Sequence, residues 1–261
     1  MNIIDCHLHL YDEKLVNDLD AVIKEACSNN VRYLVNNSDS FSSFDKVLNI
    51  KKNYPSTCFS TLGIHPEYAL EDDSYFNRSF KYIEDNIDKI VAIGEIGLDY
   101  HYSKEDNVVR RQKEVFISQL KIAKKFSLPV VIHARDSLND VYKILKEEKI
   151  KKAYLHCYSG SLQQIKEFIK LSDNYRFGVG GVITFKNARV LKDIVKEIDL
   201  KYFLSETDSP YLAPTPFRGE RNKPSYLPLI IKEIADIKGM DEDKTAEILF
   251  NNGVSFYGIQ I

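Results

Sequence analysis

The sequence predicts an α/β fold, a (β/α)8 TIM barrel with a metal site at its C-terminal rim. Three observations carry that expectation. The chain has 261 residues, the usual size of one such barrel. Eight short apolar runs recur along it, and amphipathic stretches separate them, which implies parallel strands joined by crossover helices. Five of the six histidines fall at the ends of the apolar runs, and a parallel barrel gathers those ends at one rim.

The first run, Ile3–Cys6, leads into His7-Leu8-His9. Strand side chains repeat every two residues, so both imidazoles project from one face and can point at one ion. An open doubly wound sheet would want a glycine-rich phosphate turn here instead. Leu15–Asn29 then carries Leu15, Leu19, Val22, Ile23 and Ala26 at helical spacing. Val31–Val35, Thr57–Gly63 and Ile90–Gly94 follow as strands. Asp106–Phe126 reads as a helix, with lysines in its last turn, where a helix end favours cations. Beyond it, Pro129–Ile132, Ala153–Leu155, Arg176–Val182 and Tyr202–Leu204 read as strands. The helices among and after them are Asp140–Lys149, Ser161–Leu171, Ala188–Ile198, Ser225–Lys238 and Asp241–Ile248. Several runs are apolar throughout, as strands buried on both faces are. The connection Thr207–Lys223 holds Pro210, Pro214, Pro216 and Gly219, and so long a loop in a compact domain is usually functional. With no repeat, low-complexity tract or linker, residues 1–261 are expected to form a single domain.

A net charge of −2 leaves no global basic field to attract nucleic acid. Any recognition of phosphate must therefore be local, through bound metal or a few arginines. Cys6, Cys27, Cys58 and Cys157 show no CxxC spacing, and three of them sit in or beside apolar runs. They read as reduced thiols of a cytoplasmic protein. No signal peptide or membrane span is visible, and a monomer is expected.

The strand ends carry the chemistry. The first ends in His7 and His9, the third in Gly63-Ile64-His65-Pro66-Glu67, and the fourth in Gly94-Glu95-Ile96-Gly97-Leu98-Asp99-Tyr100. The fifth ends in His133-Ala134-Arg135-Asp136, the sixth in His156-Cys157-Tyr158-Ser159-Gly160, and the eighth in Glu206-Thr207-Asp208-Ser209-Pro210. Singly, His133 or His156 reads as a core histidine. The joint pattern supports metal-assisted hydrolysis of an anionic substrate at an arginine-bearing mouth.

These segments together resemble the TatD family of metal-dependent deoxyribonucleases, within the wider amidohydrolase-like superfamily of metal barrels. Gly181-Val182-Ile183-Thr184-Phe185-Lys186, Tyr211-Leu212-Ala213-Pro214, Arg218-Gly219 and Arg221-Asn222-Lys223-Pro224 continue the match. The departures are small: Tyr158 stands where the family often has Phe, and Ser209 where alanine is common. The resemblance implies a deoxyribonuclease of the 3'-5' exonuclease type, acting on single-stranded DNA ends. It also implies two divalent ions, Mg, Mn or Zn, that activate a hydroxide. The alternative within enzymes is a hydrolase of a small ester, lactone or amide. Many such enzymes bridge their metals with a carboxylated lysine, and no lysine lies at the fourth or fifth strand end.

Two ions about 3.5–4 Å apart need a bridging carboxylate. Glu95, flanked by Gly94 and Gly97, is the expected bridge. His7, His9 and Asp208 are expected to complete one ion, and His133 and His156 the other. Asp208 is also the expected general base. His65, Arg135, Glu206, Arg218 and Arg221 are expected near substrate. For each a plainer role competes: a loop histidine, a salt bridge from Arg135 to Asp99 or Glu206, a buried partner for a cation, or a solvated arginine. Tyr100 is expected to pack rather than to stack on a base.

Overall fold

The computed structural model describes residues 2–101 and 103–260. Eight strands form one sheet in chain order, every neighbouring pair parallel. They are β1 (Ile3–Leu8), β2 (Val31–Asn37), β3 (Cys58–Leu62), β4 (Ala92–Asp99), β5 (Val130–Arg135), β6 (Ala153–Leu155), β7 (Arg176–Val179) and β8 (Phe203–Ser205). Ten helices follow them: α1 (Glu13–Val16), α2 (Leu19–Ser28), α3 (Phe41–Asn53), α4 (Asp73–Asp85), α5 (Asp106–Phe126), α6 (Leu138–Glu147), α7 (Leu162–Leu171), α8 (Arg189–Glu197), α9 (Leu227–Lys238) and α10 (Glu242–Tyr257). The expected (β/α)8 barrel is the fold.

Two helices go beyond the sequence expectation, and one is longer. α3 opens on serines that look like loop residues, but Ser40 and Ser43 form a capping box over its first turn. Its Phe44, Val47 and Ile50 then face inward at helical spacing. α4 buries Phe76, Ser79 and Ile83 behind an Asp72 cap. α10 continues through Asn251-Asn252-Gly253, which reads as a stop. Gly253 is there for contact: a Cβ would come within 2.8 Å of both Cys6 Sγ and Ile4 Cγ2.

The core has two parts. The larger lies between sheet and helices, and includes Ile3, Leu34, Ile93, Val130 and Phe177. Alternate strand residues face the other way, and Ile4, Cys6, Val35, Val131, Tyr154 and Leu204 form an inner cluster. Phe250, Val254 and Phe256 of α10 join that inner cluster, and the Tyr257 hydroxyl donates to the Cys6 carbonyl at 2.8 Å. All four cysteines are free thiols. No helix among the described residues is long and apolar enough to cross a membrane.

The edge between β8 and β1 is closed largely by side chains and by the chain just past β8. The Asp5 carboxylate accepts from the Thr207 N–H at 2.9 Å and from the Thr207 hydroxyl at 2.5 Å. Ser205 Oγ donates to the Ile4 carbonyl at 3.2 Å. The Asp208 N–H donates to the His7 carbonyl at 2.9 Å, and the His9 N–H to the Ser209 carbonyl at 2.8 Å. Asp5 is fully buried, and burial pushes its carboxyl up to about 8. Thr207→Val keeps the shape and removes the hydroxyl, so it is expected to cost about 1–3 kcal/mol. Urea unfolding with unchanged slope and a lowered midpoint is the check.

β4 and β5 approach most tightly where Gly97 pairs with His133. Gly97 has φ +143, and a Cβ there would lie 2.0 Å from the His133 carbonyl oxygen. Only glycine takes that conformation without strain. Gly97→Ala is expected to cost about 2–4 kcal/mol through strain and overpacking. An unfolding midpoint equal to that of the parent chain would refute the tight fit.

Candidate metal centre

Each strand end reaches the site for a local reason. β1 continues as a strand through His7 and carries His9 just beyond its end, and both are buried. β4 runs on past Gly94, so Glu95 lies within the strand and is 3% exposed. The Gly94–Glu95 peptide is cis. Asp208 and Cys157 both sit in the left-handed backbone region, at φ 58 and 43. Such residues cost about 1–3 kcal/mol each and persist where the surroundings fix them. For Asp208 those surroundings are the bonds that close β8 onto β1.

Three ligand atoms form one compact group, and a fourth stands beside it. His7 Nε2 and His9 Nε2 are 3.2 Å apart. Glu95 Oε2 lies 3.4 Å from the first and 3.6 Å from the second. Asp208 Oδ1 lies 3.6 and 3.5 Å from the same two nitrogens. A tetrahedral ion with bonds of about 2.1 Å has ligand–ligand edges of about 3.4 Å. The edges among His7, His9 and Glu95 bracket that value, so these residues fit a divalent ion, with Asp208 within reach of the same histidines.

A second group gathers on the other oxygen of Glu95. Oε1 lies 2.7 Å from His156 Nε2, 3.1 Å from His133 Nδ1 and 3.8 Å from His65 Nε2. His133 Nδ1 and His156 Nε2 are 3.3 Å apart. This group is tighter than the first, and 2.7 Å is a hydrogen-bond length. His156 Nε2–H donates to Glu95 here, and an ion would take the place of that proton.

Surrounding groups hold the rings. His9 Nδ1 faces the Asn37 carbonyl at 3.0 Å, which can only accept, so Nδ1 carries the proton and Nε2 faces the cluster. Asp99 Oδ2 does the same for His133 Nε2 at 3.0 Å. His7 and His156 stack, with centroids 4.0 Å apart. Their Nδ1 atoms are buried without a hydrogen-bond partner, and Glu206 stands within 4.8 Å of a nitrogen on each ring.

The electrostatics follow from this crowding. Burial opposes the ionised form of Glu95, but His156 and His7 outweigh it and hold the carboxyl well below the usual range. Asp208 is lowered in the same way, chiefly by its hydrogen bond with His9. Burial alone would lower His9; Asp208 and Glu95 raise it to about 9. Burial likewise opposes the charge on His133, and Asp99 and Glu95 raise it to about 9. His7 is pushed down to about 4 by burial and by the nearby His156.

Sequence reading puts Glu206 and Arg221 near substrate; the structure sets Glu206 beside His7 and His156, and engages Arg221 with Asp18. Glu206 is 0% exposed, and its oxygens accept from the Tyr154 hydroxyl and, at 2.6 Å, from the Cys157 N–H. The fork of Arg221 is occupied by Asp18, with two contacts of 2.9 Å. Arg218 is exposed and lies over the Phe185 ring at 4.5 Å. Arg135 is exposed at the lip of a cavity of about 520 Å³ that opens onto His133, His156 and Asp208. Tyr100 packs and donates to Asp140 at 3.0 Å. Asn37 and Asp5 are supporting residues that sequence reading does not single out, and Asp99, read as a possible partner for Arg135, stands behind His133. A signal existed for the first: β2 ends in the wholly polar run Asn36-Asn37-Ser38-Asp39.

A family model described as TatD related DNase matches residues 4–258. The chain belongs to the TatD family. It is 37% identical to the uncharacterized metal-dependent hydrolase YabD of Bacillus subtilis, over 98% of this chain and 99% of that one. The metal-dependent hydrolase YcfH of Escherichia coli is 30% identical over 99% and 97% of the two chains. Among solved structures, the TatD homologue YjjV of Escherichia coli superposes with a TM-score of 0.91 at 29% identity, covering 99% of this chain and 98% of that one. This TatD-family protein is a metal-dependent hydrolase with a (β/α)8 barrel.

With His9 and His133 both raised to about 9, each holds a proton at pH 7 in the metal-free protein. Ligation needs neutral imidazole, so ion binding at pH 7 is expected to release protons, and affinity is expected to fall as pH falls. Titration calorimetry of Mn²⁺ or Zn²⁺ in buffers of different ionisation enthalpy measures this. Binding heats that do not depend on the buffer would contradict it.

Proposed function

We propose that this TatD-family hydrolase is a deoxyribonuclease that removes nucleotides from single-stranded DNA ends in the 3'-5' direction. The observation that carries the proposal is Glu95. One of its oxygens faces His7 and His9, and the other faces His133 and His156. A carboxylate used on both sides is placed to bridge two divalent ions, the arrangement suited to in-line displacement at phosphorus. Such ions, when bound, lower the pKa of water and neutralise charge on the phosphoryl oxygens.

The chain's own residues supply the rest. His7, His9, His133 and His156 would hold the ions, and Asn37 and Asp99 fix the ring tautomers of His9 and His133. Asp208 turns Oδ1 towards His7 and His9, while Oδ2 has the Cys157 thiol at 3.8 Å as its weak neighbour. That second oxygen is the proton acceptor for attacking water. Its carboxyl is held ionised, so that oxygen carries no proton at neutral pH. Arg135 at the cavity lip contacts the substrate phosphate, with Arg218 further out; His65 reaches the Oε1 side of Glu95.

Hydrolysis of a small ester, lactone or amide is the second reading, and the size of the cavity favours it. At about 520 Å³ it would accept such a molecule whole. Cleavage of end-labelled single-stranded DNA and of a lactone panel, under Mg²⁺, Mn²⁺ and Zn²⁺, separates the two. Glu95→Ala and Asp208→Asn are each expected to lower DNA cleavage by at least about 100-fold, the scale of a lost acid–base group. Both should keep the parent circular dichroism. Activity persisting in both variants would sink the mechanism.

A further inference from the structure

We infer that the cavity beside the ligand cluster is a subsite for the nucleobase of the terminal nucleotide, gripped by apolar contact. The inference rests on the nuclease reading above and specifies how that substrate is held.

The cavity is lined by two unlike sets of residues. His133, His156, Asp208 and Arg135 are the polar set. Val182, Ala188, Val190, Leu191 and Leu212 form an aliphatic wall. That wall comes from the connections after β7 and β8, apart from most of the ligands. Val190 is 60% exposed and Leu212 is 42% exposed. They are two of the five exposed large hydrophobic side chains among the described residues, and both line this one cavity. Large apolar groups left open to water beside a polar site mark a place where something apolar binds. Lys186 and Arg189 are exposed in the same connection. Cations thus neighbour the wall residues in sequence, and candidate metal ligands line the same cavity.

A nucleotide has the matching character: a flat base with apolar faces, and an anionic phosphate one sugar away. The volume of about 520 Å³ suits one nucleotide. With the phosphate at His133, His156 and Arg135, the base reaches Val190 and Leu212. An aliphatic wall touches a base through its face, which every base presents, so the grip tolerates sequence. The base must first leave its stack, which costs least at a single-stranded end.

The test compares two oligonucleotides with Mn²⁺ present. One ends in an ordinary 3' nucleotide and the other in a 3' abasic tetrahydrofuran residue. The parent enzyme is expected to favour the base-bearing end by about tenfold in kcat/KM, chiefly through KM, the scale of one lost base contact. Val190→Ser with Leu212→Ser should bring that ratio towards one. Circular dichroism and the metal-binding isotherm report whether the double variant folds. Should it fail, Val190→Ser alone at its exposed position takes its place. Equal rates on the two ends by the parent enzyme overturn the subsite and leave the nuclease reading standing. A ratio unchanged in the variant overturns the assignment of the wall. No cleavage of either end overturns both readings.

Discussion

Glu95 is buried and still ionised, because imidazoles face both of its oxygens. A lone carboxylate inside a barrel would take up a proton. Here the charge is matched by neighbours on β1, β5 and β6, so the strands must hold their registers for Glu95 to stay charged. Gly97 against His133, Asn37 behind His9 and Asp99 behind His133 serve that requirement. Hydrogen bonds and ring contacts among these residues tie the cluster together.

Much of this was legible in the sequence because parallel strands end together. Period-two spacing in β1 joined His7 to His9, and strand ends brought Glu95, His133, His156 and Asp208 to one rim. Glu206, two residues before Asp208, stands beside His7 and His156, and its oxygens accept from Tyr154 and from the Cys157 N–H, partners on β6 and just past it that spacing within one strand does not announce. Arg221 was misplaced: its partner, Asp18, is 203 residues away, and no local pattern announces such a pair. Asp99 and Asn37 act through the far nitrogen of a ligand ring, and spacing carries no record of that. α10 was cut short because Asn251-Asn252-Gly253 looks like a terminator, while Gly253 is in fact selected by its closeness to β1.

The division of labour around the rim follows from the topology. The candidate metal ligands come from the ends of β1, β4, β5 and β6 and from the residues just past β8. The aliphatic wall of the cavity comes from later parts of the β7 and β8 connections. Barrels vary function by changing loops while the strands keep the scaffold. In this chain Val190 and Leu212 line the cavity from segments that carry none of the candidate histidine ligands.

The bonds between Asp5 and Thr207 span 202 residues of sequence. During synthesis, His7 and His9 leave the ribosome first, and Asp208 comes late. Until that late segment arrives, the first strand lacks both its closing partner and the carboxylate that completes its ligand set. Closing the barrel and gathering the candidate ligands are thereby one event, because the segment that seals β8 to β1 is the one that carries Asp208.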